Sequence, residues 1–158
     1  MRLSTRGRYG TRAMLDLALC GSNGPVSLRE MASRQDISAD YLEQLLRRLR
    51  KAGLVRSVRG PRGGFLLASD PAQIRLWDIV SALEDRIAPV ACVDNVVGHK
   101  SCEEPCQRIS SCATHVFWGG LARQIRAFFE SKTLQDLALD AKRLCREAKP
   151  GAPLPFEI

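Results

Sequence analysis

The chain has 158 residues, 45% hydrophobic and 26% charged, enough for a sizeable globular core, so its six cysteines are not needed to replace one. Its net charge of +7 is uneven: residues 1–65 carry thirteen Arg and Lys against five Asp and Glu, the remainder eleven against twelve. A basic module joined to a near-neutral one predicts a polyanion partner, and no apolar run reaches the roughly 18 residues that would span a membrane.

The N-terminus resembles a signal peptide, because Arg2, Arg6, Arg8 and Arg12 precede MLDLALCG. Asp16 interrupts the apolar run, and Leu19 stands where a small residue would precede cleavage, so the expectation is a cytoplasmic protein. In that compartment thiols stay reduced, and clustered cysteines more often bind metal or sense redox than form structural disulfides.

Residues 8–19 (RYGTRAMLDLAL) place Tyr9, Ala13 and Leu17, and Met14 and Ala18, at helical spacing. Gly21, Ser22, Asn23, Gly24 and Pro25 end that helix. Ser27 and Glu30 spell a capping box, opening a short helix to about residue 35. A turn at 36–38 leads to Ser38, a good N-cap, and to a helix over 39–52 that ends at Gly53. Two short helices joined by a tight turn make a helix-turn-helix. In LVRSVRGPRGGFLLA, strands at 54–58 and 65–67 flank a glycine-rich turn at 59–64, a β-hairpin that makes the unit a winged helix.

A helix over 74–84 follows, with apolar Leu76, Ile79, Val80 and Leu83. Residues 86–112 read as a long irregular loop, and such loops are usually functional or disordered. A long amphipathic helix at 114–131 carries Phe117, Trp118, Leu121, Ile125, Phe128 and Phe129, more apolar surface than one domain should leave bare. The first reading is a dimerisation helix, since winged helices usually act as dimers on two half-sites; the alternative is intramolecular core. Thr133 and Asp136 cap one more helix, to about residue 145. The expected organisation is a winged helix-turn-helix domain at 1–85, a cysteine loop at 86–113, two further helices at 114–148 and a flexible tail at 149–158. The fold class is mainly α with a two-stranded wing.

Helix 39–52 has two faces. Leu42, Leu45, Leu46 and Leu49 follow i, i+3, i+4, i+7 and should be buried. Asp40, Glu43, Gln44, Arg47 and Lys51 share the opposite face, with Ser38 at its start. Any solvated helix could show such a face; its place in a helix-turn-helix before a basic hairpin makes it a candidate DNA reader. Gln44 can bridge adenine's donor and acceptor, Glu43 can accept from cytosine, and arginine can grip guanine. Arg47, Arg48, Arg50 and Lys51 suit phosphates, which add affinity and little specificity. Arg56, Arg59 and Arg62 on the hairpin suit a narrow minor groove.

The ligand-rich stretch runs Cys92-x9-Cys102-x3-Cys106-x5-Cys112-x2-His115. Thiolates hold iron–sulfur clusters, and imidazole can replace thiolate at one iron. Zinc on Cys102, Cys106, Cys112 and His115 is a competing reading, and spacing does not separate the two. A metal-free thiol switch is a third. Cys20 and Cys145 read as small apolar fillers, and His99 as a solvated loop residue.

The stretches MRLSTRGRYGTRAMLDLAL, ISADYLEQLLRRLRKAGLV, SVRGPRGGFLLASD and SCATHVFW resemble the IscR-like iron–sulfur cluster regulators, winged-helix bacterial repressors, from Met1 to about Leu137. The resemblance implies a homodimer on a pseudo-palindromic operator in double-stranded DNA. It also implies a 2Fe–2S cluster supplied by cluster-assembly machinery. By position the implied ligands are Cys92, Cys106, Cys112 and His115. About eight extra residues between the first two cysteines include Cys102, a possible replacement ligand. Nitric-oxide-sensing relatives use an acid near the N-terminus, where this chain has Arg8. Glu43, Gln44 and Arg59 fall at the family's DNA-reading positions, and Asp40 stands where the family carries serine. The implied function is a cluster-sensing repressor, not an enzyme, in which the cluster orders residues 92–115 and biases the recognition helix. An electron carrier is the alternative from another class; the basic N-terminal part and the lack of Cys-x-x-Cys count against it.

Overall fold

The computed structural model describes residues 4–98, 106 and 108–147. Helix α1 (Thr5–Cys20) starts three residues before its predicted point, because Ser4 accepts hydrogen bonds from the backbone N–H groups of Arg6 and Gly7. Helix α2 (Leu28–Gln35) is capped by Ser27, whose hydroxyl accepts from Glu30 N at 3.2 Å. Asp36, at φ 50°, makes the left-handed turn into α3 (Ala39–Lys51), which Ser38 caps through Tyr41 N. Strands β1 (Val55–Val58) and β2 (Gly64–Leu67) pair antiparallel, Val55 opposite Leu67 and Val58 opposite Gly64. The chain continues through α4 (Leu76–Leu83), α5 (Ala113–Ser131) and α6 (Leu134–Glu147). No described helix is long and apolar enough to cross a membrane.

The first core gathers Ala13, Met14 and Leu17 of α1, Met31 of α2, and Leu42, Leu45, Leu46 and Leu49 of α3, joined by Ile79 and Leu83 of α4. The leucine spacing of α3 thus aims the whole predicted stripe inward, and each fully buried leucine contributes about 1.5–3 kcal/mol. Val26 exchanges two backbone hydrogen bonds with Phe65, at 3.0 and 2.8 Å, which ties the wing to the chain before α2. Gly64 permits this approach, since a Cβ there would lie 2.2 Å from the Val26 carbonyl oxygen.

A polar network sets the angle between α1 and α2. Asp16 is buried and accepts from Arg34 at 2.9 and 2.8 Å and from Gln35 at 3.1 Å. Arg12 donates to the Gln35 side chain and carbonyl at 3.0 and 2.7 Å. A lone acid within the apolar pattern of α1 signals such a paired partner, because an unpaired buried carboxylate is too costly to keep.

A second, smaller core joins α4 to the C-terminal part: Trp77, Val80, Ile87, Ala88, Val93, Val97 and Ala122, with Trp118, Ile125 and Phe129 against them. Part of the predicted irregular loop is therefore structured. Ala91–Val97 forms a 3-10 helix, with Val93 and Val97 buried. Helix α6 also returns to the first unit: Leu134 is buried in the first core, Leu134 N donates to Ile74 O at 2.8 Å, and Leu76 N donates to Lys132 O at 2.9 Å.

Candidate DNA interface and ligand segment

Burying the leucine stripe leaves Asp40, Glu43, Gln44, Arg47 and Arg48 exposed along a shallow groove on the outer face of α3. Ser38 is exposed at the start of that face. Glu43 and Arg47 form an exposed i, i+4 ion pair at 3.3 Å, which leaves most donors of Arg47 and one oxygen of Glu43 open to a ligand. Arg50 donates to Ser57 Oγ at 3.2 Å, joining α3 to the wing. Tyr41, half-buried at the start of α3, meets Tyr9 of α1 edge-to-face at 6.2 Å. Sequence reasoning did not single out this pair, and aromatic residues that follow arginine in α1 and open α3 are the signal available.

Arg56, Arg59 and Arg62 are exposed on the hairpin. The turn closes through a bond from Gly63 N to Gly60 O at 2.9 Å; Gly60 takes φ 118°, and a Cβ on Gly63 would lie 2.4 Å from Val58 O. Recognition helix and wing thus present the predicted basic side chains outward from one folded unit.

The ligand candidates divide between two elements. Cys92 is half-buried on the 91–97 helix and packs against the second core. Cys112 stands at the N-terminal end of α5, and His115 lies one turn further on, its backbone N–H bonded to Cys112 O at 3.1 Å. The Cys112 thiol is shifted down by a hydrogen bond with Thr114 Oγ1 at 3.1 Å, helped by backbone N–H groups and by the charge of Arg108. His115 Nδ1 is buried with no hydrogen-bond partner. Cys106 is exposed; Cys102 and His99 lie outside the described residues, as does the tail predicted at 149–158. Among the described residues, no three His, Cys, Asp or Glu side chains stand close enough to hold a metal ion. The donor types nevertheless fit a thiophilic centre: a thiol shifted toward thiolate at Cys112, an imidazole nitrogen of His115 with no partner, and the further thiols of Cys92 and Cys106.

Cys20 and Cys145 are half-buried. Cys20 packs on the first core, and burial, then the charge of Asp16, pushes its thiol up, the state of an inert filler.

A helix-turn-helix with an exposed polar second helix and an arginine-rich β-hairpin defines a winged-helix DNA-binding protein. The family model described as an iron-dependent transcriptional regulator, Rrf2, matches residues 3–140. The chain belongs to the Rrf2 family, whose members are DNA-binding transcriptional regulators and not enzymes. It is 44% identical over 146 residues to protein rrf2 of Nitratidesulfovibrio vulgaris, covering 92% of this chain and 91% of that one. It is 43% identical over 137 residues to the HTH-type transcriptional regulator IscR of Xenorhabdus nematophila, covering 87% and 79%. Among solved structures, the IscR of T. potens superposes with TM-score 0.72 at 37% identity, covering 96% of this chain and 94% of that one. CymR, the global cysteine regulator of B. subtilis, superposes with TM-score 0.68 at 37% identity, covering 87% and 96%. The expected fold class, mainly helical with a two-stranded wing and further C-terminal helices, is that of these relatives.

Proposed function

We propose that the chain is a cytoplasmic, homodimeric repressor whose grip on a pseudo-palindromic operator depends on an iron–sulfur cluster, most simply 2Fe–2S, delivered by cluster-assembly machinery. The observation that carries this reading is the pairing at the head of α5 of a thiol shifted toward thiolate with a buried imidazole nitrogen lacking a partner. The proposed ligands are Cys92, Cys106, Cys112 and His115, with Cys102 as the alternative second ligand. The likeness to IscR proteins supports the cluster over zinc. Held by these residues, the cluster would supply redox-labile chemistry. The chain's own part is to bring α5 and the 91–97 helix to one place, since Val93, Val97, Trp118 and Ala122 share the second core.

In this reading Ser38, Asp40, Glu43, Gln44 and Arg47 face the major groove, with Arg56, Arg59 and Arg62 on phosphates or in the minor groove. Val116, Phe117, Leu121 and Phe128 of α5 are exposed in the single chain and form the dimer face. Protein purified without oxygen is expected to be coloured, with visible absorption and matching iron and sulfide. Cys112→Ala and His115→Ala lose that absorption, and Cys102→Ala against Cys106→Ala identifies the second ligand. A colourless protein with bound zinc overturns the cluster. Failure to retard any selected duplex at low salt overturns the regulator reading.

A specific observation favours one second reading. The depressed Cys112 thiol suits a metal-free thiol switch, and a solved relative at 34% identity and TM-score 0.66 is an oxidised form of CymR from Staphylococcus aureus. Peroxide would then alter DNA retardation in metal-free protein, and Cys112→Ser would abolish the effect.

A further inference from the structure

Three consecutive residues after α4 together clamp α1, α3 and the 91–97 helix. Glu84 accepts from the backbone N–H and the hydroxyl of Ser4, at 2.9 and 2.8 Å, and so holds the start of α1. Asp85 accepts from Arg6 of α1 and, at 3.4 Å, from Arg48 of α3. Arg86 donates to Asp94 at 2.9 Å; the Asp94 side chain is 1% exposed and lies two residues after Cys92. Glu84 ends α4 in extended backbone, at φ −92° and ψ 136°, and Asp85 bends the chain directly after it.

Arg48 is the rim of the recognition groove, one turn along α3 from Gln44. Of the described groove residues it is the one bonded to a residue outside α3. The Arg48 side chain is 45% exposed and that of Asp85 70%, so water and DNA phosphate both compete for the pair. The Arg86–Asp94 link is anchored differently: its acid is buried, and Val93 and Val97 on either side of it are fixed in the second core. The 91–97 helix is thus tied to Arg86, the chain neighbour of Asp85.

We propose that Asp85 and Arg86 are positioning residues that couple the Cys92 helix to the recognition helix, Asp85 withholding Arg48 from DNA phosphate until the helix carrying Cys92 moves. This rests on the reading above that a metal centre at these cysteines controls DNA binding. Electrostatic logic gives the direction. A carboxylate beside Arg48 cancels the cation that would displace a counterion from DNA, and removing that carboxylate restores it. The Asp85 carboxyl is held below the usual aspartate range, first by Arg6 and then by Arg48, so it is charged whenever DNA is bound near neutral pH.

The test uses full-length protein, emptied with chelator or reconstituted with ferrous iron and sulfide, in wild-type, Asp85→Asn, Arg48→Gln and double-variant forms. On a fixed random-sequence duplex, empty Asp85→Asn is expected to show a salt slope steeper than wild type by about one phosphate contact. Arg48→Gln should erase that gain in the double variant. On a duplex selected by the wild type, the ratio of loaded to empty affinity should change by roughly threefold in Asp85→Asn, the scale of one surface ion pair. Arg86→Gln should change the same ratio while leaving the empty protein's salt slope nearer to wild type. Circular dichroism checks that each variant folds; if Arg86→Gln does not, the Asp85 and Arg48 cycle decides. An unchanged slope and ratio in folded Asp85→Asn, or a gain that survives Arg48→Gln, overturns the relay alone. A wild-type ratio of one overturns the relay and the metal-control reading together.

Discussion

Asp16 shows how one side chain can fix the geometry of a DNA-binding unit. It is enclosed by α1, yet both its oxygens are used by Arg34 and Gln35 at the far end of α2. Asp16→Ala should lower stability by about 2 kcal/mol, read by urea denaturation, because it leaves Gln35 buried and under-bonded. Arg34 is 32% exposed and recovers water, which keeps the loss below that of a fully buried pair. Gly64 is the second instance. A Cβ would meet the carbonyl of Val26, a backbone atom held by the bridge to Phe65 and unable to move aside cheaply. Gly64→Ala should cost about 1–3 kcal/mol and loosen the wing, seen as faster amide exchange at Phe65. At this scale the sequence was partly legible: Ser27, Ser38 and the wing glycines announce their roles by type and spacing, while Asp16 announces only that it needs a partner.

At the scale of elements, α6 shows how a terminus couples to pH. Asp136 accepts from Thr133 N and Oγ1 at 2.8 and 2.9 Å, and Thr133 Oγ1 accepts from Asp136 N at 3.2 Å, a complete capping box. These bonds, the backbone one first, hold the carboxyl below the usual aspartate range. Because the folded pKa is depressed, the stabilisation is fully present above the unfolded value near 4 and is lost as pH falls through the folded one. Melting temperature measured from pH 5 to pH 2 should fall less steeply in Asp136→Asn than in wild type. The recognition helix depends instead on burial. Leu46→Ala should cost about 2–5 kcal/mol, since Leu46 is fully enclosed, and should abolish DNA retardation by unfolding. Helix and strand identities were legible from periodicity and turn chemistry. The 91–97 helix was not, because a seven-residue 3-10 segment has no repeating apolar face long enough to read, and its buried valines share a core with distant residues such as Trp77, Trp118 and Ala122.

At the scale of the molecule, α5 resolves into two apolar stripes. Trp118, Ile125 and Phe129 lie on the second core, whereas Phe117 and Phe128 remain 65% and 62% exposed. The sequence reading offered dimer face and intramolecular core as alternatives; the packing divides the helix between an internal role and an open face. Phe117→Glu with Phe128→Glu should shift the protein from dimer to monomer in sedimentation and weaken operator binding at least tenfold while leaving the first core intact. The exposed stripe is the one that tests the proposed dimer, since charge on the inner stripe would unfold the chain instead.

What the amino-acid order determined unaided was the winged helix-turn-helix, the outward polar face of α3, the arginine-rich hairpin and a segment rich in cysteine. Their elements are encoded locally, through helical or alternating period, capping types and glycine conformations. Only the tertiary structure decided which stripe of α5 is buried, that α6 returns to the first core through Leu134, and that residues 84–86 clamp α1, α3 and the Cys92 helix at once. Ser4 and Glu84 are eighty positions apart, and Arg48 and Asp85 thirty-seven. Pairs that distant leave no periodic trace in the chain, because their meeting depends on how helices stack and not on any residue's own conformational preference.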